Sequence, residues 1–163
     1  MKSHQYTMHY DECAMSELSS EEQLLLQAAM DATTQSYSPY SHFRVGAAVL
    51  LCNGQIITGS NQENSAFPVT LCAERVALFS ACHQHSDAPV SAIALAAQDA
   101  NGFTVRPVTP CGSCRQVLVE VEQRSHRPIT ILMYGASGIW KTVGVVNLLP
   151  LAFDSILSQD SQV

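Results

Sequence analysis

Two short stretches carry the residues best suited to chemistry: Thr70-Leu71-Cys72-Ala73-Glu74-Arg75 and Thr109-Pro110-Cys111-Gly112-Ser113-Cys114-Arg115. Each falls where a helix is expected to begin. A Cys-x-x-Cys pair at a helix N-terminus can aim both sulfurs at one point, as two corners of a zinc tetrahedron require, and the helix dipole there favours thiolate over thiol. The same spacing also suits a redox dithiol. No Trp flanks the pair as it does in thioredoxin-like motifs, and it comes late in the chain. Cys72 completes a three-thiolate set, and three protein ligands leave the fourth position of a catalytic zinc open to water. Glu74, two residues on, has the type and place of a general acid/base.

A closed structural zinc needs a fourth ligand. Cys13, Cys52 and Cys82 qualify by type, but none has paired-ligand spacing with either motif. Three thiolates around a dication leave a net charge of about −1. Arg75, next to the Cys72 motif, is expected to offset it by donating to sulfur; Arg115 is open between that role and a surface position. His4, His9 and His42 are scattered on polar segments and are expected to be solvated.

The elements that must position these residues follow from pattern. Ser19 or Ser20 with Glu22 and Gln23 resembles a capping box, opening a helix that runs to about Gln35 before Ser38-Pro39-Tyr40. Leu24, Leu25, Ala28 and Met30 lie near helical spacing. Residues 43–51 and 55–59 flank the hairpin turn Asn53-Gly54. A second helix is expected over 71–84, a buried strand over 90–97, a third helix over 111–123, strands over 129–133 and 140–145, and a short final helix over 151–157. This order implies one mixed sheet with helices on its faces, an α/β fold.

The 163 residues suffice for one domain, with residues 1–17 read as a polar tail and 18–163 as the catalytic unit. The start has no apolar leader and no stretch reaches spanning length, so a cytoplasmic location is expected, with its six cysteines reduced. A net charge of −6 without a basic run argues against nucleic-acid polymers and membranes as partners, and for a free small molecule as substrate. Only 13% of residues are charged, which is consistent with some surface being covered by other subunits.

Cys72-Ala73-Glu74 with Pro110-Cys111-Gly112-Ser113-Cys114 resembles the zinc base deaminases. With Cys as first ligand, it is similar to the small homotetrameric class of cytidine deaminase. Tyr37-Ser38-Pro39-Tyr40-Ser41, Phe43-Arg44-Val45-Gly46-Ala47-Ala48, Asn61-Gln62-Glu63-Asn64 and Leu148-Leu149-Pro150 with Phe153 match that family in order, so the resemblance spans roughly residues 20–157. It implies a three-layer αβα sandwich around one five-stranded mixed sheet and one Zn2+ per subunit held by Cys72, Cys111 and Cys114. The implied reaction is hydrolytic deamination of cytidine and 2′-deoxycytidine, by zinc-bound hydroxide attack at C4 with Glu74 shuttling protons.

The resemblance also assigns a substrate site. Asn61 and Glu63 match residues that hold the ribose, Phe43 one that packs on the nucleoside, and the Ala73 N–H a donor to the pyrimidine carbonyl. Phe153 matches a ring that enters a neighbouring subunit's site, so a homotetramer with shared sites is implied. Without the resemblance, Phe43 and Phe153 read as core and residues 61–64 as a polar turn. Phe67 stands where the family usually has Tyr, which removes a hydroxyl. Deamination of a modified cytosine nucleoside such as blasticidin S is an alternative substrate reading, and a structural zinc module or a redox dithiol are alternatives of other classes.

Overall fold

The computed structural model describes residues 1–154. The first helix, α1 (Ser20–Ala32), starts as its capping box requires. The Glu22 N–H donates to Ser19 Oγ at 3.2 Å, and the Glu22 carboxylate accepts from the Ser19 N–H at 3.0 Å. A turn of 3-10 helix, Thr33–Gln35, extends it to the expected end. The buried face of α1 is Leu25, Leu26, Ala29 and Ala32, while Leu24 points outward. In a run of three leucines, tertiary contact rather than spacing decided which one stays in water.

Strands β2 (Arg44–Leu51) and β3 (Ile56–Ser60) form the expected hairpin, turned at Gly54 with φ +84°. Helix α2 (Ala73–Gln84), strand β4 (Val90–Asp99), helix α3 (Gly112–Ser125) and strands β6 (Thr130–Gly135) and β7 (Gly138–Val143) follow near their expected places. Two short strands complete a seven-stranded sheet in place of the five expected: β1 (Asp11–Cys13), paired with β7, and β5 (Gly102–Phe103), paired with β4. Neither is long enough to carry an alternation signal, and each exists only because an edge was available to pair with. Of the final helix expected over 151–157, residues 151–154 are not helical and 155–157 lie outside the described residues.

The sheet order is β1-β7-β6-β4-β2-β3; β4 and β6 are parallel and the other neighbours on this path antiparallel. α3 crosses between the parallel pair, and the sheet is mixed, as expected. Alternation along the central strands divides the core. Ala47, Val49, Ile93, Leu95, Ile131 and Met133 face Ala77, Leu78 and Leu118 of α2 and α3. Ala48, Leu50, Ala92, Ala94 and Leu132 face Leu25, Leu26 and Ala29 of α1. The result is three layers, αβα. Among the described residues, no helix is long and apolar enough to cross a membrane.

Gly59 fixes how closely α2 lies on the sheet. A Cβ there would sit 2.8 Å from the Ala73 carbonyl oxygen and closer still to the Ala77 backbone nitrogen. Both are backbone atoms that cannot rotate away. We therefore expect Gly59→Ala to cost about 1–3 kcal/mol of stability by overpacking, read as a lower denaturant midpoint at unchanged slope.

Candidate metal centre and substrate site

Cys72 and Cys111 are the N-cap residues of α2 and α3, with extended backbone (ψ 153° and 166°). Neither sulfur caps its own helix. Both instead turn to a shared point, where Cys114, in the first turn of α3, joins them. Cys72 Sγ lies 3.8 Å from Cys111 Sγ, and Cys111 Sγ 3.4 Å from Cys114 Sγ. All three sulfurs fall within 4.8 Å of one another. A tetrahedral zinc with Zn–S bonds near 2.3 Å needs sulfurs about 3.8 Å apart. The set fits that ion with little movement.

The cysteines are free thiols, and no fourth His, Cys, Asp or Glu joins the group among the described residues. Cys52 instead accepts from Arg127 Nη1 at 3.2 Å, at a distance in sequence and fold from the cluster. An open fourth position is the arrangement of a catalytic rather than a closed structural zinc.

Electrostatics match this reading. The Cys72 thiol is pushed down to about 5, first by hydrogen bonding with Cys114, against burial, and further by Arg75. Cys114 moves up for the complementary reason, sharing its proton with the Cys72 thiolate and being buried. Arg75 Nη2 donates to Cys72 Sγ at 3.8 Å and to the Thr70 carbonyl at 3.0 Å, so it neutralises charge and holds the loop that delivers the sulfur. Arg115 does not reach sulfur. Its Nε donates to Pro110 O at 2.8 Å and its Nη1 to Leu148 O at 2.7 Å, bracing the turn before Cys111 against the chain's return.

Glu74 is buried in the first turn of α2. Burial pushes its carboxyl above the ordinary value, against a hydrogen bond from its own backbone N–H; the Cys72 thiolate adds to the rise. A carboxyl so placed keeps a proton at higher pH than one in water, which suits acid/base work. The Ala73 N–H, at the first helical position, has no carbonyl to meet within its helix and is open to an acceptor at the site.

Gln62 is bound to the metal loop through its backbone, and its neighbours Asn61 and Glu63 to Tyr37. Gln62 exchanges hydrogen bonds with Leu71 (2.9 and 3.1 Å), the residue before Cys72, and the Glu63 N–H donates to Tyr37 O at 2.8 Å. Asn61 is buried and mostly committed. Its Oδ1 accepts from Val45 N at 2.8 Å and Ser36 Oγ at 2.5 Å, and its Nδ2 donates to Phe43 O at 3.0 Å. One N–H hydrogen is left for a ligand. The Glu63 carboxylate accepts from Ser41 Oγ at 2.5 Å and from the Tyr40 and Ser41 N–H groups at 3.0 and 3.3 Å, and the Ser41 bond holds it below the usual carboxylate range. Ser41 closes the matched block Tyr37-Ser38-Pro39-Tyr40-Ser41, but nothing in its sequence context gave it this role as partner of Glu63. Phe43 is half-buried beside this loop. Phe67 stands edge-on to Tyr40 at 5.6 Å, so its ring is used where a hydroxyl is missing.

Phe153 is the one candidate not gathered into this chain's site. Its ring is 79% exposed. The reading of Phe153 as a core residue does not hold at this position.

Comparison with known proteins agrees with the geometry. The family model for the cytidine and deoxycytidylate deaminase zinc-binding region matches residues 19–127. A cytidine deaminase of Halalkalibacterium halodurans is 40% identical over 131 residues, which cover 80% of this chain and 92% of that protein. One of Sporosarcina psychrophila is 42% identical over 130 residues, covering 79% and 88%. The crystal structure of the cytidine deaminase from Burkholderia pseudomallei superposes with a TM-score of 0.69 at 36% identity, covering 80% of this chain and 97% of that one.

The thiol chemistry can be checked without substrate. In the metal-free protein, Cys72 is expected to be alkylated fastest of the three. Its rate should hold from neutral pH downward and fall only as pH drops through about 5, where the thiolate takes up its proton. Added zinc should protect it, as mapped by mass spectrometry.

Proposed function

Because this chain belongs to the cytidine and deoxycytidylate deaminase zinc-binding family, we propose that it hydrolyses cytidine and 2′-deoxycytidine to the corresponding uridines and ammonia. The observation that carries this is the convergence of Cys72, Cys111 and Cys114 with a buried Glu74 beside them. The three sulfurs of Cys72, Cys111 and Cys114 would hold one zinc ion. When bound, the metal supplies Lewis acidity that makes water a competent nucleophile near neutral pH.

The chain's own groups do the rest. Glu74 accepts a proton from the attacking water and delivers one to N3 of the ring. It then takes the remaining proton from the new C4 hydroxyl and passes it to the departing amine, so a C4–O bond forms and becomes the carbonyl, the C4–N bond breaks and nitrogen leaves as ammonia. The Ala73 N–H donates to the pyrimidine carbonyl oxygen. Glu63 accepts from the ribose hydroxyls, the remaining Asn61 N–H donates there, and Phe43 packs on the nucleoside. Arg75 stabilises the thiolates by hydrogen bonding to Cys72.

The exposed apolar side chains support an assembly. Tyr37, Tyr40, Phe67 and Val69 lie uncovered around the site, and Phe153 beyond it. A homotetramer in which Phe153 enters a neighbour's site would cover such surface. Sedimentation should then give a mass near four chains at micromolar concentration.

Glu74→Ala should keep its zinc and lose about 10²- to 10⁴-fold in turnover of cytidine, followed by absorbance. Near-normal turnover in that variant would remove Glu74 from the proton path. Running cytidine, deoxycytidine and blasticidin S in parallel distinguishes an ordinary nucleoside substrate from a modified one, and the former is expected to turn over fastest.

A further inference from the structure

We propose that Gln116 is a positioning residue that aims Phe153 into the neighbouring subunit's substrate site; this rests on the shared-site reading above. The Gln116 side-chain amide makes two bonds to one residue. Its Nε2 donates to Phe153 O at 2.6 Å, and its Oε1 accepts from the Phe153 N–H at 3.2 Å. This is the pairing one strand residue makes with another, here supplied by a side chain from α3. It fixes both the place and the rotation of the Phe153 peptide while the ring stays 79% exposed.

Ordering a backbone so firmly around an exposed aromatic ring brings no apolar burial within the chain. It brings burial only where a second copy receives the ring.

The same helix holds the rest of the returning chain. The Glu122 carboxylate accepts from Val145 N at 3.1 Å, and Arg115 Nη1 donates to Leu148 O at 2.7 Å. Gln116 adds a further attachment, at Phe153. Helix α3 begins with Cys111 and Cys114, so the element that carries two metal ligands of one site also sets the ring offered to another. Spatial coupling between sites then follows from one rigid helix. Gln116 lies two residues after Cys114 in sequence, yet it works on the substrate side of a neighbouring site.

The test is a mixed assembly. Gln116→Met keeps length and shape but makes neither bond. Alone, it should retain zinc and tetramer mass and raise KM for cytidine by about tenfold to a hundredfold, with a smaller change in kcat. It should then be co-assembled with Glu74→Gln subunits, which have no working site but an intact Phe153. KM of the working sites should return toward the wild-type value as the Glu74→Gln fraction rises. Phe153→Ala, treated identically, serves as reference.

A wild-type KM for Gln116→Met, or a raised KM that mixing does not restore while it restores Phe153→Ala, overturns the role of Gln116. A Phe153→Ala variant with normal KM, or one not restored by mixing, instead overturns the shared site beneath it. Should Gln116→Met fail to assemble, Gln116→Asn, which keeps the amide but withdraws it by one methylene, is read by the same criteria.

Discussion

Everything in this molecule depends on two helix N-termini meeting with their sulfurs about one Zn–S bond length from a common centre. Three thiolates repel one another, and left alone they would hold protons between them, as the opposed shifts of Cys72 and Cys114 show. A dication reverses that sign. The protein prepares for it with the positive ends of two helices and with the Arg75 guanidinium on Cys72. These positive groups favour the thiolate form in which the three cysteines would hold a cation.

Position comes from the sheet. α3 enters after the carboxyl end of β4, beside which β6 runs parallel, a place where α/β sheets commonly open a ligand crevice. α2 reaches the same end from β3 and is pressed close to the sheet by the absence of a side chain at Gly59. The Gln62–Leu71 bridge and the Arg75–Thr70 bond then set the last residues before Cys72. Residues 61–63 are thus part of the metal loop's support as well as of the proposed ribose site. Asn61 illustrates the double use, with Oδ1 fully engaged in holding β2 and a single N–H left over.

The returning chain after β7 plays a corresponding part. Arg115 and Glu122 hold it to α3, and Gln116 holds it again at Phe153. A metal helix braced in this way also positions the exposed Phe153.

The sequence by itself determined the chemistry. Cysteine at two helix starts, with Glu74 one helical step inside, follows from residue type and from short-range signals such as the capping box at Ser19 and the turn at Gly54. These act within a few residues, so they survive without knowledge of the fold. The family blocks added the roles of Phe43, Asn61, Glu63, Ala73 and Phe153, which spacing alone leaves as core or turn.

Tertiary structure decided what depends on distant partners. It chose Leu26 over Leu24 for the core, gave β1 and β5 edges to pair with, turned Arg115 away from sulfur toward Leu148 and joined Ser41 to Glu63. A hydrogen bond between residues 37 apart, like that of Gln116 with Phe153, leaves no periodic trace in the chain because it depends on where the helix and the returning chain come to rest.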